Sequence, residues 1–172
     1  INLFVLFLFL LYYFILFAMC TKNLCDDLIL YIDLFNNNMI IFFDKMGDRV
    51  DDYAEGLSNI IFHDPVDKRR LAGLLSSTDI GLQILANIPV FYYGTSPNKF
   101  FDYISASVPV LNNYPGWLAE LINDNGCGFS VPPEDPIAFA DVLEKAAGNR
   151  LDLKFKGSKA KTLAIEKFDR KI

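Results

Sequence analysis

Short apolar segments recur along this chain, and segments with helical character separate them. The apolar segments are rich in Ile, Val, Leu and Phe, and each is short enough to form one buried strand. Strands that alternate with helices in this way form a parallel sheet with helices packed on both faces. The predicted fold is therefore α/β, a doubly wound parallel sheet. The predicted strands cover residues 39–43, 59–63, 79–85, 108–111 and 127–131.

Capping residues and the spacing of apolar side chains predict the helices between these strands. Asp26 and Asp27 are suited to cap one helix, and Asp67 is suited to cap another. Pro136 fits the first turn of a third, because its fixed backbone angle suits that position. The predicted helices cover residues 28–35, 49–55, 68–76, 97–107, 116–122, 136–145 and 151–172.

The most informative stretch runs from residue 91 to residue 111. Gly94, Thr95 and Ser96 indicate a loop, Ser96 is a good N-cap, and Pro97 suits the first position of a helix. The first backbone N–H groups of such a helix have no intrahelical partner, and the helix dipole is positive there. We therefore expect an anion to be favoured at this helix start.

Two charged side chains add to the chemistry of this helix start. Lys99 lies in the first turn, where we expect it to supply a mobile positive charge. Asp102 follows close to Asn98 and Lys99, and its carboxylate can accept hydrogen bonds from a pair of sugar hydroxyls. A phosphate with a diol beside it describes a nucleotide diphosphate and its ribose. The alternative is a capped surface helix in which Lys99 and Asp102 form an ion pair of roughly 0.2–0.5 kcal/mol.

Charge and residue content exclude several classes of function. The net charge of -5 argues against a nucleic-acid partner, which requires a basic face. Cys20, Cys25, Cys127 and the single histidine, His63, lack the paired spacings of a zinc site, so we predict no metal site. The cysteines are typical of buried or partly buried free thiols. A single histidine also leaves little room for a Ser-His-Asp triad, and no catalytic residue is assigned.

Residues 1–20 carry no charged side chain and are long enough to span a bilayer as a helix. A membrane anchor or an uncleaved signal is one interpretation. The other is an altered form of the loop and strand that should open the domain, because the segment lacks a basic start and a small-residue cleavage site. We therefore set residues 1–25 apart from a domain of residues 26–172. The expected location is the cytoplasm, at the inner face of the cytoplasmic membrane if the anchor is real.

Three motifs resemble one enzyme family. The run SPNKFFDY at residues 96–103, followed by Ala106 and by PVL at residues 109–111, resembles the signature of the family 4 GT-B glycosyltransferases. The similarity is greatest to the bacterial surface-polysaccharide branch, which writes this motif as PNK-FDY-AAG-PV. Residues 77–82, STDIGL, resemble the strand that leads into the donor-binding loop of the family. Residues 132–136, PPEDP, resemble its PPGD turn.

This resemblance implies the Rossmann-like C-terminal half of a GT-B fold, with residues 26–172 as a donor-binding domain truncated at its C-terminus. Its partners would be a UDP- or GDP-sugar and a saccharide or lipid-linked acceptor that receives a hexose in surface polysaccharide synthesis. No cofactor is implied beyond the sugar nucleotide. Because about twenty-five residues cannot form an acceptor domain, we expect this chain to bind the donor without transferring the sugar.

The resemblance also implies a set of donor-binding residues. In the family, two glutamates are separated by seven residues; Asp102 matches the second position, and Gly94 stands at the first. Ser107 stands where the branch usually has glycine. Two alternatives stay open, an inactive nucleotide-binding fragment and a membrane-anchored protein that is not an enzyme. The implied residues are Gly94, Thr95, Ser96, Pro97, Asn98, Lys99, Asp102, Gly116 and Glu120, with Lys22 as a further basic candidate slightly out of register.

Overall fold

A computed structural model describes residues 29–33, 38–42, 60–63 and 66–169 of the chain. Lys22, the segment of residues 1–25 and the predicted helix at 49–55 lie outside the described residues. Within the described part of the chain, no helix is both long enough and apolar enough to cross a membrane.

Six strands form one sheet. They are β1 (Ile29–Asp33), β2 (Asn38–Phe42), β3 (Ile60–His63), β4 (Ile80–Gln83), β5 (Val110–Asn112) and β6 (Gly128–Ser130). Their order across the sheet is β3-β2-β1-β4-β5-β6. Within this sheet, strands β4, β5 and β6 are parallel to one another, and β2 pairs with β3 in parallel. The predicted α/β class is confirmed for this part of the chain.

The first strand departs from the prediction in two ways. Residues 28–35 were predicted to form a helix, but β1 occupies residues 29–33, whose Ile, Leu and Tyr side chains favour a strand. Strand β1 is also antiparallel to both β2 and β4, so the sheet is mixed. The reason is the connection: residues 34–37 are too few for the crossover that a parallel pair requires, whereas they suffice for a hairpin.

In the part of the chain that the structure describes, six helices accompany the sheet. They are α1 (Lys68–Leu75), α2 (Val90–Gly94), α3 (Asn98–Ser105), α4 (Trp117–Asn125), α5 (Pro136–Ala147) and α6 (Arg150–Phe168). The predictions of α1, α4, α5 and α6 are confirmed to within a few residues at their ends. Helix α2 was not predicted, because Gly94 and the residues after it indicate a loop.

Helix α3 is shorter at both ends than the sequence predicts. Pro97, with φ -71° and ψ 126°, is the N-cap, so the prediction that Ser96 caps this helix is wrong. Pro97 has no side-chain hydrogen-bonding group, and its extended backbone places the first helical residue at Asn98. At the other end Ser107 adopts the left-handed conformation, with φ 64°. This conformation ends the helix, and it favours the glycine that the polysaccharide branch has there.

Strand β4 is the centre of the packed core. All of its residues are buried, which fits a parallel strand covered on both faces. Gly81 lies directly beneath the ring of Tyr103 from α3, and a Cβ atom added at Gly81 would stand 2.6 Å from that ring. Gly81 therefore admits the close packing of α3 on the sheet.

We predict that Gly81→Ala lowers the free energy of unfolding by about 1–3 kcal/mol, because the new methyl group forces Tyr103 away from the sheet. Gly73→Ala is the matched control, since a Cβ at Gly73 meets no described atom within 4 Å. That change in the interior of α1 should raise stability by about 0.5–1 kcal/mol. Urea unfolding of both variants measures the difference, and equal stabilities would contradict this account of the core.

Candidate functional site

The candidate site lies at the carboxyl edge of the parallel strands. Strands β4, β5 and β6 end at Gln83, Asn112 and Ser130, and the loops after them meet at one edge. In open α/β sheets, ligands bind beyond this edge. The predicted segment from Gly94 to Lys99 follows β4, and Gly116 follows β5. The topology therefore places both predicted groups of residues at the same edge.

Two described helices of eight or more residues, α3 and α4, begin at this edge without a side-chain cap. Helix α3 starts after Pro97, and α4 starts after Gly116, whose φ of 110° suits glycine. By contrast, Asp67, Asp135 and Asn149 cap the first turns of α1, α5 and α6 with side-chain oxygens. The starts of α3 and α4 therefore offer backbone N–H groups and positive dipole ends that no side-chain cap of their own neutralises.

Direct contacts hold these two helix starts together. The indole Nε1–H of Trp117 donates a hydrogen bond to the carbonyl oxygen of Thr95, at 2.7 Å. The rings of Trp117 and Phe100 meet edge to face, with centroids 6.4 Å apart. A Cβ atom at Gly116 would lie 2.2 Å from the carbonyl oxygen of Tyr92, so only glycine fits there. Trp117 therefore packs between the two helix starts.

Helix α2 contributes an aromatic rim that sequence reasoning missed, and hydrogen bonds link this rim to two glutamates of other segments. The hydroxyl of Tyr93 donates a hydrogen bond to the Glu120 carboxylate, at 2.7 Å. That hydrogen bond, and then the negative charge of Glu120, raise the pKa of Tyr93 above its ordinary value. The side chain of Asn87 donates to Glu134 at 3.0 Å and accepts from Tyr92. The aromatic run at residues 91–93 was the available signal, but its position depends on an unpredicted helix.

The remaining predicted residues of this loop are arranged around α2 and the start of α3. Gly94, Ser96 and Asn98 are exposed, Thr95 is half-buried, and Pro97 is buried. The Thr95 hydroxyl donates to the carbonyl oxygen of Phe91, at 2.7 Å, which ties the loop to α2. Contacts thus connect Gly94 and Thr95, at the end of α2, with Gly116 and Glu120, at the start of α4.

Lys99 lies in the first turn of α3, as the sequence predicts, but its side chain is buried. Its side chain is only 1% exposed, so the expectation of a mobile positive charge at the surface is wrong. Lys99 and Tyr103 are one helical turn apart and share the buried face of α3. Because the packing of α3 on the sheet fixes which residues are covered, the charge of Lys99 faces the interior.

Asp102 lies on another side of α3 from Trp117. Its carboxylate accepts a hydrogen bond from the Nζ of Lys68, at 2.7 Å, across a groove between α1 and α3. Leu71 and Leu75 also line this groove, which has a volume of about 290 Å³. Lys68 is 75% exposed, so we expect this ion pair to contribute less than about 1 kcal/mol to stability. The Asp102 carboxylate is therefore held near solvent, within reach of a ligand in the groove.

The described residues contain no cluster of three or more His, Cys, Asp or Glu side chains that could hold a metal ion. Neither models of known protein families nor curated proteins give a significant match to this sequence. The resemblance to glycosyltransferases therefore depends on the motif residues themselves.

Cys127 is buried and poorly suited to act as a nucleophile. Burial raises the pKa of its thiol from 9.0 to about 11, and the nearby charge of Lys156 offsets part of this effect. Because the thiolate is the reactive form, the folded protein keeps this sulfur inert near neutral pH. The raised pKa also means that the stability contributed by the neutral thiol is present below pH 9. It is lost as the pH rises from about 9 to about 11.

We predict that Cys127 in a Cys20→Ser/Cys25→Ser variant resists a thiol-reactive disulfide reagent at pH 8 until denaturant unfolds the chain. The free energy of unfolding of this variant should fall between pH 9 and pH 11, and the fall should be smaller after Cys127→Ala. Rapid labelling of the folded protein at pH 8 would contradict the buried, protonated thiol.

Proposed function

We propose that this chain is the donor-binding half of a glycosyltransferase of the GT-B family 4 type and that it holds a nucleoside diphosphate sugar. One observation carries the proposal: the starts of α3 and α4, neither with a side-chain cap, meet at the carboxyl edge of a parallel sheet. Such an arrangement favours a group with several negatively charged oxygens. The SPNKFFDY motif that resembles the family begins at the first of these helix starts.

Positive charge at the starts of α3 and α4 must come from the backbone. Between residues 71 and 144 the sequence has one basic residue, Lys99, and its side chain is buried. Beside the exposed Lys68, which pairs with Asp102, the α3 and α4 dipoles are therefore the sources of positive potential that residues 71–144 offer to a diphosphate. Dipoles fixed before the reaction stabilise the charge that develops on a leaving nucleotide diphosphate, and no reorganisation is required. This is the role we assign to the two helix starts.

The positions of the flanking residues suggest how the donor lies. Asp102 faces the groove beside α1, where its carboxylate can accept two hydroxyl groups of a ribose. Gly116 and Glu120 lie with α4, on the side where Trp117 contacts α3. In this proposal the diphosphate rests on the start of α3, with the nucleoside toward Asp102 and the sugar toward α4.

The reaction that fits this donor is transfer of a hexose to a saccharide or to a lipid-linked acceptor in the synthesis of bacterial surface polysaccharide. UDP- and GDP-sugars are both candidate donors. The site would operate in the cytoplasm, where sugar nucleotides are made. In this proposal the described domain holds the donor, and the acceptor is brought to it from outside the described domain.

We predict that Asp102→Asn weakens the binding of UDP or GDP at least tenfold, because the amide replaces a charged acceptor of the ribose hydroxyls. Lys68→Met is the matched control, since it breaks the same ion pair and leaves the Asp102 carboxylate in place. Calorimetric titration of the full-length chain with UDP, GDP and their sugars measures both variants. We expect the wild type to bind one nucleotide with micromolar affinity.

Two results would count against the proposal. Equal weakening in Lys68→Met and Asp102→Asn would assign Asp102 a structural role in the ion pair. Absence of binding to wild-type protein at millimolar nucleotide would leave an α/β domain that does not hold this donor.

A second prediction concerns Gly94, which stands at the first glutamate position of the family motif. A Cβ at Gly94 meets no described atom within 4 Å, so Gly94→Glu should fold with stability changed by less than about 0.5 kcal/mol. Its carboxylate should accept a sugar hydroxyl and tighten binding of the sugar nucleotide relative to the nucleotide diphosphate. Gly73→Glu on α1 is the control for added charge, and calorimetry is the measurement. An unchanged ratio would place Gly94 away from the sugar.

A further inference from the structure

The three parallel strands end in a row of polar side chains. Gln83, Asn112 and Ser130 are the last residues of β4, β5 and β6. Gln83 is opposite Asn112 in the sheet register, and Asn112 is opposite Ser130. Residues opposite each other in neighbouring strands point to the same face, so the three side chains form one row. We call it the polar row.

Each member of the polar row has a buried polar atom that makes no hydrogen bond with the described residues. These atoms are Gln83 Oε1, Asn112 Oδ1 and Ser130 Oγ. Gln83 is 1% exposed and Asn112 is 0% exposed. A buried polar atom without a partner costs about 1–3 kcal/mol, so three in one row call for an explanation.

The neighbouring residue Asn113 differs from the polar row, because both ends of its side-chain amide make hydrogen bonds. Asn113 is equally buried, but its side-chain oxygen accepts from the Leu85 N–H at 2.7 Å, and its amide donates to the Leu85 carbonyl at 3.0 Å. Rotating the Gln83 amide by half a turn would exchange its oxygen and nitrogen and still leave one of them without a described partner. The unmade bonds of the row therefore do not arise from the choice of amide orientation.

The polar row lies under the start of α3. Gly81 and Gln83 are two residues apart in β4 and share a face, and Tyr103 covers Gly81. Helix α3 carries the chain back from the carboxyl edge to the start of β5, so residues before Tyr103 lie nearer that edge. Gln83 is consequently level with the first turn of α3, where the proposed diphosphate rests.

We propose that the polar row binds the sugar hydroxyls of the donor. This inference depends on the proposed function and adds the chemical group that the row would recognise. The free atoms of the row are two amide oxygens, which only accept hydrogen bonds, and a hydroxyl. Sugar hydroxyls can donate to such atoms, whereas a phosphate ionised near neutral pH has little to donate. Neighbouring strands are about 4.8 Å apart, which matches the width of one hexose ring.

Tyr114 covers the row in this structure. The Gln83 amide donates to the Tyr114 hydroxyl at 3.3 Å, which is long for a hydrogen bond. The Tyr114 ring stacks on the half-buried ring of Tyr92, with centroids 6.3 Å apart and planes 12° from parallel. A sugar that enters would replace the Tyr114 hydroxyl at Gln83, and the long distance indicates that this bond is weak.

The test compares nucleotides with sugar nucleotides on the full-length chain. Calorimetry with UDP, UDP-glucose, GDP and GDP-mannose gives the additional affinity that the sugar supplies. We expect Gln83→Met and Ser130→Ala each to reduce this additional affinity about tenfold while the affinity for the nucleotide diphosphate alone stays unchanged. Tyr114→Phe removes the competing hydroxyl and should increase the additional affinity about threefold. Thermal unfolding without ligand should show Ser130→Ala at least as stable as the wild type.

The outcomes separate this inference from the proposed function. If UDP or GDP binds and the variants keep the wild-type preference for the sugar nucleotide, the inference is wrong and the proposed function stands. If Ser130→Ala and Gln83→Met unfold at lower temperature and bind every ligand like the wild type, the row is structural and holds internal water. If no nucleotide or sugar nucleotide binds the wild type, both proposals fail.

Discussion

The contact between Tyr103 and Gly81 sets the geometry on which the candidate site depends. Because Gly81 has no side chain, the ring of Tyr103 rests on the sheet itself, and the Tyr103 hydroxyl lies 3.4 Å from the Leu82 carbonyl oxygen. This contact fixes how far α3 extends along β4, and therefore where its first turn lies. Trp117 then joins that first turn to α4 through its ring contact with Phe100, and its indole N–H bonds the preceding loop at Thr95. The starts of α3 and α4 converge because the Tyr103 contact holds α3 in place on the sheet.

The rest of α3 is held from the side by α6. Gly157 approaches Ser107 so closely that a Cβ atom would lie 2.3 Å from the Ser107 carbonyl oxygen. The Nζ of Lys161 donates to the Ser105 carbonyl at 2.7 Å, and the rings of Phe101 and Phe168 meet edge to face. The end of α3, with its left-handed Ser107, is therefore a packing junction. A ligand at the other end would meet a helix that cannot shift without disturbing this junction.

The charge distribution explains why the proposed site relies on backbone groups to hold an anion. The rim of the site carries Glu120 and Glu134, both engaged in hydrogen bonds with side chains around α2. Lys99 is turned inward, so its charge acts on the interior of the domain. An anion at this edge would rely on the dipoles of α3 and α4. The polar row beneath them carries no charge, and this suits uncharged hydroxyl groups better than phosphate.

The sequence by itself determined the α/β class, the parallel strands β4, β5 and β6, and the helices that separate them, because apolar runs and capping residues are local signals. Tertiary structure decided the rest. The short connection after β1 made that strand antiparallel, and the packing of α3 buried Lys99 and turned Asp102 toward Lys68. The polar row became visible only in the sheet register, since Gln83, Asn112 and Ser130 are far apart in sequence and only strand pairing makes them neighbours.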